Sequence, residues 1–500
     1  MALNLFVNIK LPSGKTYTQP TGLFINNEFV KSIKGYVIES INPATEEPIC
    51  SVYGAEEEDV DLAVKAARAA FKGPNGWKKT SGADRADLLY KLSTLVNENR
   101  DVLASIEAMD SGKPKTQNSL GDIDEIISVL KYFSGHADGA QSGKTIETGP
   151  DKLAYTLHEP YGVCGQIIPW NYPLGMAGWK IGPALAAGNC IILKSAEQTP
   201  LSILYLAKLV KEAGFPPGVV NILSGLGKTA GAALAAHSDV DKIAFTGSTA
   251  TGKIIMKLAA NNLKAITLEC GGKSPLFVFN DCDFEQSIKW AHFGIMCNMG
   301  QICSATSRIY VQEETYEKFI AAFKAECDNS SIMGDPFDDN VIHGPQVSKL
   351  QQQRILDYIK KGKAEGARLV CGGKAISPGY YVQPTIFADV TEDMTIMKEE
   401  IFGPVVCIAK FKDEEDCVNL GNDSEYGLAA AIFSSDIGRS HRLARDLDAG
   451  SVWINSDNDC DIRVPFGGYK VSGIGRELGD YGMGIYTQAK AVHVNLGCKL

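Results

Sequence analysis

The chain has 500 residues, 45% hydrophobic, 22% charged and 8% aromatic, with 50 glycines and 21 prolines. At roughly 150 residues per domain this predicts about three domains, or two large ones with an added arm. So average a composition excludes a wholly disordered, collagen-like or disulfide-scaffold chain, and a formal net charge of −10 without any Lys/Arg-rich block argues against a nucleic-acid partner.

The start shows neither a long apolar segment nor an Arg-rich amphipathic helix. The longest nearly apolar stretch, 181–193, is short of the roughly 20 residues that a membrane helix needs. A cytoplasmic protein with no membrane partner is therefore expected. A strand pair is expected over 23–30. Helices follow over 57–71, with Val60, Ala63, Ala67, Ala70 and Phe71 on one face, and over 84–109, carrying Leu88, Leu92, Leu95, Leu103 and Ile106. From 162 to 279 short apolar runs alternate with helical segments. One of these, 200–213, opens with Thr199 as cap and Pro200 at the first helical position. This alternation predicts an α/β fold with a parallel, doubly wound sheet. A second set of such units runs from a helix at 284–297 to Trp453. The stretches 153–159 and 489–496 fit neither set and read as exposed strands in need of a partner edge. Thirteen cysteines, scattered without a C-x-x-C pair, predict free thiols. Seven dispersed histidines predict no metal site.

Several segments carry chemistry. GSTATGKI, 247–254, follows an apolar strand and opens a helix. It departs from a phosphate-binding P-loop at Ile254, where a Mg²⁺-binding hydroxyl is needed, which opposes a nucleoside triphosphatase. A Gly-Ser turn at a helix N-terminus still suits a pyrophosphate. GLGKTAG, 225–231, is a second Gly-rich junction; it is either a plain tight turn or part of a dinucleotide site at a sheet's carboxyl edge. Cys303 in GQICS is a candidate nucleophile, but a thiol of ordinary pKa is only roughly 3% ionised at neutral pH and needs activation. Glu269, ending KAITL before Gly271 and Gly272, is the candidate partner. Asn171, between the prolines of IPWNYP, either donates to an oxyanion or satisfies turn backbone. KEEIFGP, 398–404, reads as a surface loop or as part of the same site.

Taken in order, IIPWNYP, LKSAEQTP, FTGST, LECGGKSP, GQICSATSR, EEIFGPV and PFGGYKVSGIGRE resemble the signature blocks of the NAD(P)-dependent aldehyde dehydrogenase superfamily. The resemblance spans about 22–492 and is nearest to fungal cytosolic members. It implies an aldehyde dehydrogenase-like α/β fold: a Rossmann-like cofactor domain (1–136 and 161–272) with a five-stranded parallel sheet, an α/β catalytic domain (273–478), and a β oligomerisation arm (137–160 and 479–500) reaching another subunit. It implies a homodimer or homotetramer acting on a small aldehyde with NAD, NADP being possible. Cys303 then matches the nucleophile that forms a thiohemiacetal and a thioester, Asn171 and the Cys303 N–H the oxyanion hole, Glu269 the base that activates water, and Lys180 a lysine on the proton path. Ile168, Trp170, Lys194, Glu197, Gly227, Gly231, Phe245, Thr246, Gly247, Ser248, Glu400 and Phe402 match the cofactor cleft. Glu197 at the ribose 2′-OH favours NAD.

By family position the substrate tunnel is lined by Tyr172, Met176, Trp179, Cys297, Ile302, Ser304, Cys460 and Phe466. Cys270 stands where Leu is usual. Gly175 and Cys460 replace larger groups in many relatives, which predicts a wider pocket. Asp457, Asp459, Asp461 and Arg463 read as a solvated loop. The alternatives to hydrolytic oxidation are a CoA-acylating enzyme, opposed by Glu269, and a non-catalytic protein of the same fold, opposed by the intact Cys303, Glu269 and Asn171 set.

Overall fold

A computed structural model describes residues 3–74 and 76–499. Its first large sheet has eight strands in the spatial order Gly473–Ile474, Ala265–Glu269, Lys242–Thr246, Val163–Ile167, Cys190–Ser195, Val220–Ser224, Leu23–Ile25, Glu28–Val30. The middle five are parallel and buried along their whole length, apart from the first two residues of Ala265–Glu269. Covered on both faces by helices, such strands read as continuous apolar runs, which is why they were legible. The chain starts at Val163–Ile167, steps outward through Cys190–Ser195 and Val220–Ser224, then returns to the other side through Lys242–Thr246 and Ala265–Glu269. The strand order reverses between Ile167 and Thr246, where a doubly wound sheet opens a crevice at its carboxyl edge.

The five-stranded expectation is extended by antiparallel edges. Leu23–Ile25 and Glu28–Val30 close one side, and Gly473–Ile474 pairs with Leu268 and Glu269 on the other. Residues 473–474 thus pair into the first sheet, although they lie within the bounds, 273–478, expected for the catalytic domain. A second sheet of seven strands runs Arg368–Cys371, Thr385–Ala388, Val405–Phe411, Arg308–Gln312, Pro275–Val278, Ala429–Phe433, Ser451–Ile454. The strands expected to be lone and exposed, Lys152–Pro160 and Thr487–Asn495, pair with each other over nine residue pairs, Thr145–Glu147 adding a third strand. Each satisfies one edge of the other.

Two helix readings change. The expected helix 84–109 is two, Gly82–Glu98 and Arg100–Ser111. Asn99 breaks it by donating its side-chain amide to the Leu95 carbonyl at 2.8 Å, a local bond that competes with helix continuation. The helix Leu201–Ala213 is not capped by Thr199. Asp110, brought from the distant helix Arg100–Ser111, accepts from the Leu201 N–H at 2.8 Å instead. No described helix is long and apolar enough to cross a membrane.

Candidate active site

The carboxyl ends of the five parallel strands gather the first group of candidates. Lys194 lies level with Ile167, Phe245 also with Ile167, and Thr246 with Glu269. Beyond Ile167 the chain turns through Ile168, Trp170 and Asn171 into the helix Pro173–Ala186. Beyond Thr246, Ser248 caps the helix Thr249–Ala259 by accepting from the Thr251 N–H at 3.3 Å, which leaves that helix's first N–H groups facing the crevice. Gly252 and Lys253 lie inside this helix, unlike the Gly-Lys of a P-loop. Glycines keep the crevice open. A Cβ on Gly227 would meet nothing, and one on Gly231 would meet only Lys194 Cδ at 3.9 Å. Lys194 is buried and its one ionic partner among the described residues is Glu197 at 3.4 Å; burial lowers its pKa.

Cys303 arrives from the second sheet's side. The helix Phe284–Met296 ends in a loop where Asn298, Met299 and Gly300 take φ of 48°, 56° and 71°. Gly300 has no alternative, since a side chain there would strike the Gly403 carbonyl. This loop is locked onto the first sheet by amides. Asn171 Nδ2 donates to the Gln301 carbonyl at 2.9 Å, and Asn298 Nδ2 donates to the carbonyls of Asn171 at 3.2 Å and Gln301 at 3.1 Å. Gly272 packs beneath, where a Cβ would stand 2.7 Å from the Cys303 carbonyl oxygen. Cys303 is only half-buried. Burial, with the charges of Glu400 and Glu269, pushes its thiol well above the usual range.

Glu269 is buried, and among the described residues neither carboxylate oxygen has a hydrogen-bond partner. Burial and the nearby Glu477 raise its pKa well above the ordinary value, while Lys180 and Arg476 oppose this. Lys180 Nζ donates at 2.6 Å both to Glu477 Oε1 and to Thr246 Oγ1. Glu477, a member of the cluster that motif reading passed over, was visible only as the last letter of PFGGYKVSGIGRE. Its place is fixed by the bridge between Phe466 and Glu477, and by Cys270 N donating to the Ser472 carbonyl. Asn298 and Gln301 were missed as well. Their nearness to Cys303 in sequence was the one available signal.

Glu400 accepts from the Gly272 N–H at 3.0 Å, and its carboxyl occupies the space a Gly271 side chain would need. Burial raises its pKa to about 7. Phe402 crosses Trp170 edge-on at 5.2 Å. KEEIFGP is therefore packed against Gly271, Gly272 and Trp170 and is not a plain surface loop. Glu269 and Glu400 both lie within electrostatic reach of Cys303. Two acidic groups, a half-buried thiol and an amide-locked loop thus converge near the crevice at the first sheet's carboxyl edge.

The aldehyde dehydrogenase family model matches residues 29–492. The chain belongs to the aldehyde dehydrogenase family. Its reaction is the oxidation of an aldehyde with NAD(P)+. The chain is similar to an aldehyde dehydrogenase-like protein of Schizosaccharomyces pombe, 56% identical over 100% of both chains. It is 50% identical to the NAD(P)+ aldehyde dehydrogenase 1 of Saccharomyces cerevisiae, over 98% of this chain and 99% of that one. The solved structure of a Bacillus cereus aldehyde dehydrogenase in complex with NAD+ superposes with a TM-score of 0.94 at 49% identity, covering 98% of this chain and 100% of that one.

In this aldehyde dehydrogenase the expected tunnel residues come from three parts of the chain, 172–179, 297–304 and 460–466. Tyr172, Met176 and Trp179 lie along the helix Pro173–Ala186 and its entry, and Trp179 meets Phe466 edge-on at 5.2 Å. Cys297 Sγ accepts from Asn118 Nδ2 at 3.6 Å, Ile302 is half-buried beside Cys303, and the Ser304 hydroxyl bonds the Asn458 side chain. Cys460 is exposed. The charged loop is not uniformly solvated. Asp459 is exposed and Asp461 pairs with Arg463, but Asp457 is fully buried against the Thr306 hydroxyl. Cys270 is buried and would touch a side chain added at Gly252, so a small apolar group fills the usual Leu position.

Proposed function

We propose that Cys303 is the nucleophile, Asn171 and the Cys303 N–H its oxyanion donors, and Glu269 the base of hydrolysis. The observation that carries this reading is the placing of Glu269, buried and without a hydrogen-bond partner among the described residues, within electrostatic reach of the half-buried Cys303. The Cys303 sulfur attacks the aldehyde carbon as its proton passes toward the flanking carboxylates. Asn171 Nδ2 uses one N–H on Gln301 and has a second to offer the developing oxyanion; one such donor is typically worth about 2.7–4 kcal/mol. NAD+, when held by the crevice residues, would supply the hydride acceptor for oxidation of the adduct on Cys303. Glu269 then takes a proton from water as it attacks the thioester, and the acid leaves.

The residues present fit that cofactor. The crevice is cleared by Gly227 and Gly231, Ser248 presents a helix N-terminus for the pyrophosphate, Lys194 and Glu197 offer a donor and an acceptor to ribose hydroxyls, and Glu400 and Phe402 flank the nicotinamide end. Ile168, Trp170, Phe245, Thr246 and Gly247 form its walls. A carboxylate at the adenine ribose repels a 2′-phosphate, so NAD is the preferred cofactor. Glu197→Gln raises the ratio of kcat/KM for NADP over NAD about tenfold; wild-type enzyme with higher kcat/KM for NADP contradicts the assignment.

Lys180 and Glu477 set the protonation of Glu269. A carboxylate whose pKa is raised is protonated, and inert as a base, at low pH, and gains activity as pH rises through its shifted pKa. Glu477→Gln removes the like charge and frees Lys180 to oppose Glu269, both lowering that pKa. The acid limb of the kcat–pH profile then moves to lower pH. A limb that stays or moves upward contradicts this.

The small Cys460 supports a tunnel that takes more than acetaldehyde, although the space that Gly175 leaves is taken by the Glu125 carboxylate. We expect kcat/KM to hold or rise from acetaldehyde to hexanal, and a steady fall refutes it. We assign the first sheet with its helices as cofactor domain, the second as catalytic domain, and the three-stranded sheet as an arm whose free outer edges, on Thr487–Asn495 and Thr145–Glu147, serve a homodimer or homotetramer. Thirteen free thiols support a reducing compartment such as the cytoplasm.

A further inference from the structure

The tunnel wall carries a charge that the chemistry above does not use. Glu125 stands on the helix Leu120–His136, which packs along the helix Pro173–Ala186. Its Oε1 accepts from Trp179 Nε1 at 2.8 Å. Its Oε2 fills the space that Gly175 leaves: a Cβ there would lie 3.1 Å from it. No donor among the described residues meets Oε2, and the residue is half-buried, so this oxygen is left unpartnered on the Gly175 side. The Cys460 thiol lies within electrostatic reach of both Glu125 and Cys303, which strings the three along one path.

The nearest cation is already committed. Lys113 Nζ binds the buried Asp122 carboxylate and sits over the Tyr172 ring, 3.8 Å from its centroid. Glu125 has no ion pair among the described residues, while Trp179 and Phe466 meet edge-on beside it and Tyr172 Cβ lies next to Gly175. A carboxylate held by an indole N–H among aromatic rings is the recognition chemistry of an ammonium ion. For an apolar chain the same carboxylate is a liability, because burying it unpaired is costly. Gly175 is the third residue of the helix Pro173–Ala186, and Asn171 lies two positions before that helix, which keeps the charge and the proposed oxyanion donor a short stretch of chain apart. Burial and Asp122 push Glu125 up to about 7, against the pull of Lys113 and the Trp179 bond, and an arriving ammonium returns it to the carboxylate.

We propose that Glu125 is a specificity-determining residue that selects aldehydes bearing an ammonium group at the end distant from the carbonyl over neutral aldehydes of the same shape. This rests on the reading of 172–179, 460 and 466 as the substrate tunnel. The test compares kcat/KM for isosteric pairs: 4-aminobutanal with pentanal, and the permanently charged, non-cyclising 4-(trimethylammonio)butanal with 5,5-dimethylhexanal. In Glu125→Gln, which keeps an acceptor for Trp179, the cationic-over-neutral ratio falls about tenfold or more through KM, and the neutral aldehyde improves. Glu125→Met shows the same exchange. A ratio unchanged within about twofold, or a parallel loss for both members of each pair, overturns the proposal; the latter assigns Glu125 to holding Trp179. Met176→Ala separates the two readings. If it alters the aldehyde series while Glu125→Gln leaves the ratio alone, only the selection by Glu125 fails. If neither variant alters any aldehyde, the tunnel assignment fails with it.

Discussion

Cys303→Ala binds NAD+ as tightly as the parent enzyme and turns over at a rate lower by about 10⁴-fold or more. Removing the atom that bonds to substrate leaves only binding and oxyanion stabilisation, and loss of a covalent nucleophile is among the largest single effects in an enzyme. The cofactor crevice is built from other residues: the strand ends at Lys194, Thr246 and Glu269, the Ser248 helix terminus, and Glu400 held by the Gly272 N–H. Fluorescence titration with NADH alongside turnover of an aldehyde checks both halves. Twelve further thiols offer internal controls. The fully buried Cys164 and Cys190, for instance, sit on core strands and their replacement by Ala affects folding and not the chemistry.

The second large effect separates the two halves of the reaction. Glu269→Gln retains attack and oxidation but loses the proton acceptor for water, so the steady-state rate falls about 10²- to 10⁴-fold. The thioester accumulates, and rapid mixing shows a burst of NADH no larger than one per site. The substitution is conservative in shape, and it removes a buried carboxylate whose oxygens find no donor among the described residues, a group costly to keep ionised. The variant is therefore expected to be at least as stable as the parent to thermal unfolding. Loss of the burst together with turnover would place Glu269 in the first half-reaction instead.

What the sequence disclosed follows from local physics. The five central strands were readable because each is a largely apolar run, and Asn171, Glu269 and Cys303 because each sits in or beside a segment punctuated by glycine or proline. Gly300 and Gly272 are the clearest cases, each standing where a side chain would strike backbone. What stayed hidden depends on long-range packing. Nothing near Asn99 marks a helix break, because its amide bonds its own helix's carbonyl as an alternative that pattern reading cannot rank. The cap of the helix Leu201–Ala213 comes from Asp110, 91 positions away. Glu477 reaches Lys180 across 297 positions, and Glu125 reaches Trp179 across 54. A carboxylate's role in a cleft is set by what folds against it, and that is invisible until the sheet is assembled.

The most direct test of the covalent account is the intact mass of Glu269→Gln enzyme quenched after mixing with NAD+ and an aldehyde, followed by peptide mapping. The account predicts one acyl group per chain, on the peptide containing Cys303. An unmodified chain during turnover, or an acyl group on a different cysteine with Cys303 free, would contradict it.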